Sequence, residues 1–187
     1  MDTEDSCVQV LDNVRRLENG RFYFYRSVYY DHKEISTMNL KIPKEHSEHY
    51  LDTTKWELDK TSLNYYCYTP LMIEEMFVSG AVEMSRDATS NVLCIGMGAG
   101  YLNSYLHSTY PKMNITVVEI EPKMVEIALK WFDLVLDDWH RVITMDGTKF
   151  LEEAAKQGEG YQVFLGIPTS HAYFCSIFYV TSAYHAA

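Results

Sequence analysis

The stretch NVLCIGMGAGYLNSYL (Asn91–Leu106) joins a short apolar run to three glycines at alternate positions, Gly96, Gly98 and Gly100, and then continues into a segment of helical character. An apolar run that leads through glycines into a helix is typical of a buried parallel strand followed by its crossover helix. Glycine permits positive φ and lets the backbone approach a ligand, while the first amides of the helix offer unpaired donors. The stretch therefore predicts a nucleotide-type binding turn at the end of a strand.

Strands and helices alternate along the chain after residue 91. The hydrophobic patterns predict strands at 91–95, 114–120, 141–145 and 161–167, with helices at 101–110, 121–136 and 148–158. In the helix at 121–136 we expect one buried face formed by Met124, Ile127, Ala128, Trp131 and Phe132. Short apolar strands separated by such helices indicate an α/β fold, in which helices cover both faces of a Rossmann-like parallel sheet.

The residues before 91 are rich in tyrosine and β-branched side chains. We predict strands at 21–30 and 35–42 around a polar turn at 31–34, whereas 10–17 fits either a helix or a strand. A helix is predicted at 68–80. The predicted organisation is a β-rich N-terminal extension at 1–66 and an α/β domain at 67–187, whose last segment, 166–187, is atypical.

The overall charge and the cysteines argue against several classes of protein. The formal net charge is −10 at pH 7 and no basic stripe is available to bind phosphates, so we expect no nucleic-acid partner. The four cysteines have no CxxC spacing, which predicts neither a metal site nor a disulfide framework. The acidic start, MDTEDSCVQV, lacks a signal-peptide pattern, and we expect a cytoplasmic location without a membrane partner.

Two acidic residues stand where the next two predicted strands end. Glu119, roughly 20 residues past the glycines, can accept hydrogen bonds from two ribose hydroxyls, and Glu121 lies just outside it. Asp146 can accept from an adenine amino group, and Gly147 opens the turn that follows. The alternatives are a surface carboxylate for Glu119 and a helix N-cap for Asp146. Because such sheets bind ligands at the carboxyl ends of their strands, we favour one shared nucleotide site.

Three segments carry a resemblance to a known family: VLCIGMGAGYLNSYL, VVEIEPKMVEIALKWF and VITMDGTKFL. They resemble successive motifs of class I S-adenosylmethionine-dependent methyltransferases, most of all the spermidine-synthase-like branch, over residues 90–165. The resemblance implies that S-adenosylmethionine is the cofactor. It also implies the cofactor-binding residues, which are Gly96, Met97, Gly98 and Gly100 at the amino-acid end, Glu119 and Ile120 at the ribose, and Asp146 and Gly147 at the adenine.

Two departures from the spermidine-synthase pattern bear on the reaction. Aminopropyltransferases of this branch carry an aspartate inside the glycine cluster, where this chain has Ala99, and a glutamine after an LDG turn, which LDTTKWELDK lacks. A cationic amine substrate needs carboxylates, so these departures disfavour polyamine synthesis. We predict methyl transfer to an unknown acceptor, with a protein amine as one candidate and no catalytic residue assigned. Aminopropyl transfer stays third among the hypotheses.

The end of the chain departs from the family pattern as well. Gln162 stands where relatives have aspartate, and residues 161–187 contain no Asp, Glu, Lys or Arg. We expect a truncated or alternatively spliced product with an incomplete acceptor side. A catalytically incomplete cofactor-binding or interaction module is therefore the second functional hypothesis. The sheet edge that such a product exposes leaves homo-oligomerisation open.

Overall fold

The computed structural model describes residues 8–44, 52–63, 69–158 and 160–166, which form two β-sheets and four α-helices. Predictions for 167–187 lie outside these residues. Residues from both sheets belong to one apolar core, so the N-terminal strands pack directly on the α/β part.

The N-terminal sheet is antiparallel and consists of β1 (Val8–Arg16), β2 (Phe22–Tyr30) and β3 (Lys33–Leu40), in the order β1-β2-β3. The segment at 10–17, which fitted two types of structure, lies mostly in β1 because it pairs with β2. The turn between β2 and β3 consists of Asp31 and His32, both with positive φ, as a two-residue hairpin of this twist requires. The predicted turn at 31–34 is therefore too long.

One face of this sheet, the inner face, is buried against the rest of the chain. Its residues on the two better buried strands are Phe24, Arg26 and Val28 of β2 and Ser36, Met38 and Leu40 of β3. Val28, Met38 and Leu40 are buried and belong to the main core. The Phe24 ring packs edge-on against the Trp56 ring, with the two ring centroids 4.9 Å apart, and this pair covers one end of the inner face.

The second sheet belongs to the α/β part. The elements of that part are α1 (Thr69–Val78), β4 (Asn91–Ile95), α2 (Tyr101–Thr109), β5 (Asn114–Glu119), α3 (Pro122–Trp131), β6 (His140–Thr144), α4 (Gly147–Gln157) and β7 (Val163–Gly166). The strand order is β6-β5-β4-β7 and all neighbours are parallel. Val92 and Cys94 face the main core with α1, α2 and α3, whereas Leu93 faces a smaller core with Phe150 of α4. The predicted α/β fold, with helices on both faces of a Rossmann-like parallel sheet, is confirmed.

Helix α3 is shorter than the segment 121–136 that the hydrophobic spacing predicts. It ends at Trp131, and the next residue, Phe132, is buried as the C-cap. Asp133 then has a φ of 48°, which takes the chain out of the helix. Trp131 is 37% exposed, so its predicted place on the buried face is wrong. Apolar residues after the helix end continue the helical spacing by chance, and spacing alone does not show where the backbone turns.

Arg26 is a buried charge that links the N-terminal sheet to the end of helix α3. Its Nε and Nη2 atoms donate to the Asp12 carboxylate at 2.6 and 2.9 Å. Nη1 donates to the carbonyl oxygen of Trp131 at the end of α3 (2.9 Å), and Nη2 also donates to the carbonyl oxygen of Thr53 (3.2 Å). A cation is favourable at the last carbonyls of a helix, and the paired carboxylate offsets the cost of burial. A specific polar contact therefore supplements the apolar core that joins the sheets.

Candidate functional site

The glycine turn, residues 96–100, follows β4 and leads directly into α2. Gly96, Gly98 and Gly100 have φ of +83°, +58° and +84°, a region that residues with a side chain rarely adopt. The N–H of Gly100 donates to the carbonyl oxygen of Met97 at 3.0 Å and closes the turn. A Cβ on Gly100 would lie 3.4 Å from Leu134, so the turn also packs closely on the loop after α3. The backbone conformation thus explains why glycine occupies these positions.

The backbone amides of the glycine turn differ in their hydrogen-bond partners. The N–H of Gly96 donates to the carbonyl oxygen of Val118 in β5 at 2.8 Å. By contrast, the N–H groups of Gly98 and Ala99 meet no acceptor within the described ranges. Unpaired amides next to a helix start attract carboxylates and phosphates, because the helix dipole adds to their partial positive charge.

Glu119 ends β5 and is buried against the glycine turn, with 7% of its surface exposed. Its Oε2 accepts the N–H of Met97 at 2.8 Å, and its Oε1 accepts the N–H of Glu121 at 2.9 Å. These two hydrogen bonds compensate the carboxylate for the water it loses. The alternative of an ordinary surface carboxylate is therefore wrong. Both oxygens keep lone pairs with which a ribose could be bound.

Asp146 follows β6 and caps α4. Its Oδ1 accepts the N–H groups of Thr148 and Lys149 at 2.9 and 3.1 Å, and its own backbone is extended, as an N-cap requires. The N-cap interpretation, which the sequence left open, is confirmed. Oδ2 forms no hydrogen bond to any residue that the structure describes. A role of Asp146 toward adenine remains a prediction, compatible with the cap.

Hydrogen bonds and close packing join the ends of β4, β5 and β6 into one row. The backbone carbonyl of Glu119 accepts the N–H of Met145 at 3.0 Å, while its side chain reaches the glycine turn. A Cβ on Gly147 would lie only 2.8 Å from Cγ2 of Ile95 at the end of β4, so glycine at 147 permits close packing. We call this row, residues 96–100, 119–121 and 145–147, the strand-tip edge.

Met97 and Ile120, the other two predicted cofactor residues, lie in opposite environments. The side chain of Met97 is buried in the main core, so only its backbone borders the strand-tip edge. Ile120 is 64% exposed beside Glu119 and presents an apolar side chain there. An exposed apolar side chain next to polar groups suits the flat face of a base.

No pattern in the sequence indicated that the N-terminal sheet reaches this edge. Ser36 of β3 places its Oγ 3.4 Å from the position that a Cβ on Gly98 would occupy. Tyr101, the first residue of α2, donates its hydroxyl to the carbonyl oxygen of Ser62 at 3.3 Å. Both contacts join segments that are distant along the chain, and such pairs leave no local periodicity by which a sequence could reveal them.

A buried polar cluster lies beneath the glycine turn. Nδ2 of Asn103 is 2.9 Å from Nε2 of His140 and 3.6 Å from the position of a Cβ on Gly100. The rings of His107 and His140 are 4.9 Å apart, and Nε2 of His107 lies 3.1 Å from Oδ2 of Asp137. Burial, followed by the neighbouring His107, lowers the pKa of His140 to about 4. The His140 ring is therefore neutral at neutral pH and supports the turn through Asn103.

Cys94 is fully buried in β4, and burial raises the pKa of its thiol to about 12. Among the described residues, no three His, Cys, Asp or Glu side chains form a group that could hold a metal ion.

No helix within the described ranges has both the length and the apolar character needed to cross a bilayer.

Comparisons with known proteins were made with both the sequence and the structure. No protein-family model matches the chain. The eEF1A lysine and N-terminal methyltransferase homolog of Drosophila melanogaster is 40% identical over 72 residues, which are 38% of this chain and 11% of that protein. A probable polyamine aminopropyl transferase of Bifidobacterium longum is 42% identical over 65 residues, 35% of this chain and 14% of that protein. A probable spermidine synthase from Corynebacterium glutamicum superposes with a TM-score of 0.50 at 14% identity, covering 80% of this chain and 48% of that one.

The structural likeness extends over most of the chain and decides the fold. The chain has the class I S-adenosylmethionine-dependent methyltransferase fold. Within this methyltransferase fold it is similar to the spermidine-synthase-like branch, as its motifs predicted. The predicted cofactor, S-adenosylmethionine, is supported by the methyltransferases among the relatives. The chain spans about a tenth of the length of the methyltransferase relative from Drosophila melanogaster.

Proposed function

We propose that the strand-tip edge binds S-adenosylmethionine and that the domain transfers its methyl group to a protein amine. The observation that carries the proposal is the position of Glu119, whose side chain contacts the glycine turn while its backbone contacts the loop that leads to Asp146. Sheets of this kind bind ligands outside the carboxyl ends of their strands, with an acid at the ribose, and Glu119 stands in that position. The name of the eEF1A lysine and N-terminal methyltransferase homolog supports a protein amine as the acceptor.

Each part of the cofactor has a chemically suitable group at the strand-tip edge. We assign its amino-acid end to the backbone of the glycine turn, its ribose to Glu119, and its adenine to Ile120 and the loop after β6. The residues of this proposed site are Gly96, Met97, Gly98, Gly100, Glu119, Ile120, Asp146 and Gly147.

Methyl transfer requires mainly that the protein position the acceptor relative to the cofactor. The sulfonium already activates the methyl group, so the domain has to hold the acceptor in line and exclude water. The amine nitrogen forms a bond to the methyl carbon as the sulfur–carbon bond breaks, which leaves S-adenosylhomocysteine and one proton to be lost. Ala99, buried inside the glycine turn, supplies no carboxylate for a polyamine, and methyl transfer is therefore favoured over aminopropyl transfer.

Calorimetric titration with S-adenosylmethionine and S-adenosylhomocysteine tests the site. Glu119→Gln keeps an oxygen for the Met97 amide but removes the charge, and we expect binding about 10- to 100-fold weaker. Asp146→Ser keeps an N-cap oxygen but is too short to reach an adenine, so it should weaken binding without lowering the melting temperature. Glu153→Ala, which removes an exposed acid on α4, is the matched control and should bind as wild type does.

Turnover is measured separately with labelled cofactor. Transfer of the labelled methyl group to eEF1A, the protein in the relatives' name, is the expected result, and prior acetylation of its N-terminus distinguishes lysine from the α-amine. Equal affinity in wild type, Glu119→Gln and Asp146→Ser would remove the site assignment. Cofactor binding without transfer to eEF1A or to any protein of a whole extract would favour the second hypothesis, a cofactor-binding module.

A further inference from the structure

Ser36 is a polar residue at the end of an apolar row on the inner face of the N-terminal sheet. Along β3 this row consists of Leu40, Met38 and Ser36, and the first two are buried in the main core. Asp12 and Arg26, which share the inner face, satisfy each other. The Ser36 hydroxyl forms no hydrogen bond with the residues that the structure describes. Because Ser36 is only half-buried, its hydroxyl is open to a further hydrogen-bond partner.

Ser36 lies across from the glycine turn at a gap that Gly98 leaves open. Its Oγ and Cβ atoms are 3.4 and 3.5 Å from the position that a Cβ on Gly98 would occupy. A side chain at residue 98 would therefore fill the space between β3 and the turn. The unpaired amides of Gly98 and Ala99 belong to the same part of the turn. The Ser36 hydroxyl and the unpaired amide of the half-buried Gly98 thus lie together at the end of β4, whereas Ala99 is fully buried.

We propose that Ser36 is a binding residue, whose hydroxyl forms a hydrogen bond with the amino-acid end of the cofactor. This inference rests on the function proposed above. Backbone amides can donate to the cofactor's carboxylate but cannot accept from its ammonium group, whereas a serine hydroxyl both donates and accepts. The N-terminal sheet, held in place by Arg26, thereby becomes a wall of the binding site.

A pair of ligands separates this role from a purely structural one. S-adenosylhomocysteine carries the amino-acid end, whereas 5′-methylthioadenosine has the same adenosine without it. We expect Ser36→Ala to weaken binding of S-adenosylhomocysteine about tenfold, the effect of one hydrogen bond to a charged group, and to leave binding of 5′-methylthioadenosine unchanged. Ser36→Thr keeps a hydroxyl on a residue that suits strands and should restore affinity. Thr37→Ala, on the opposite face of β3, is the control.

Each outcome of these titrations decides a different question. Wild-type affinity for S-adenosylhomocysteine in Ser36→Ala would overturn the role of Ser36 and leave the proposed cofactor site standing. Equal weakening of both ligands in Ser36→Ala would show a structural role and also overturn the inference. Failure of the wild-type protein to bind either ligand would instead refute the proposed function itself. Equal melting temperatures without ligand establish that the variants are folded.

Discussion

Mild acid should destabilise this domain through His140, and one substitution can isolate the effect. His140 begins β6, has no exposed surface, and its Nε2 lies 2.9 Å from Nδ2 of Asn103. An amide nitrogen only donates, so Nε2 accepts and is unprotonated in the folded state. Burial, followed by the neighbouring His107, lowers the pKa of His140 from 6.5 to about 4.

The direction and the size of the effect follow from the difference between the pKa of His140 in the unfolded chain and its pKa in the folded chain. The unfolded chain protonates this ring near pH 6.5, whereas the folded chain does so only near pH 4. The stability contributed by the neutral ring is therefore complete above pH 6.5 and is lost as the pH falls toward 4. The slope is about 1.4 kcal/mol per pH unit, so the free energy of unfolding falls by about 2.5 kcal/mol between about pH 7.5 and about pH 4.5.

Urea unfolding at several pH values between those limits measures the effect. His140→Gln keeps an acceptor for Asn103 but does not titrate, so the difference in unfolding free energy between wild type and this variant should shrink by about 2.5 kcal/mol toward acid. Met113→Leu changes another fully buried side chain without changing any charge. The difference in unfolding free energy between this variant and wild type should therefore be the same at every pH. A difference between wild type and His140→Gln that does not change with pH would refute the assignment of a neutral, buried ring.

Two further predictions concern packing around the site. Gly147→Ala places a Cβ 2.8 Å from Cγ2 of Ile95, and we expect urea unfolding to show an overpacking cost of about 1–3 kcal/mol that Ile95→Ala partly relieves in a double-mutant cycle. Absence of coupling between these two substitutions would contradict the close contact. Arg26→Met leaves the mostly buried Asp12 unpaired and should cost about 3 kcal/mol by the same assay, much of it recovered in the double variant Arg26→Met/Asp12→Leu. If the free-energy changes of the two substitutions simply add in the double variant, the proposed interaction between Arg26 and Asp12 is contradicted.

The strands and helices of the α/β part could be predicted because each is a local pattern. Four of the five residues of β4 (Asn91–Ile95) form an uninterrupted apolar run, which ends at Gly96, and the predicted bounds match the observed ones. The end of α3 could not be predicted in this way. Phe132 continues the apolar spacing although the chain leaves the helix there: it is buried in the main core as the C-cap, and Asp133 after it has a φ of 48°.

The candidate site could be predicted to a similar extent, and for a related reason. Parallel strands present their carboxyl ends at one edge, so Glu119 and Asp146 could be assigned to the same edge as the glycine turn from their positions alone. The partners of each side chain could not. Glu119 binds the amide of Met97 and Asp146 caps α4, and a carboxylate's choice among nearby donors depends on distances that only the packed backbone sets.

The order of residues along this chain was sufficient for the α/β architecture, the turn with three glycines and the two acids at successive strand ends, because all of these follow from periodicity and backbone conformation within short segments. The folded chain was needed to bring Ser36 to Gly98, Arg26 to the end of α3 and Ile95 against Gly147. Those contacts join residues far apart in sequence, and the main apolar core shared by both sheets, not any local preference, determines which of them meet.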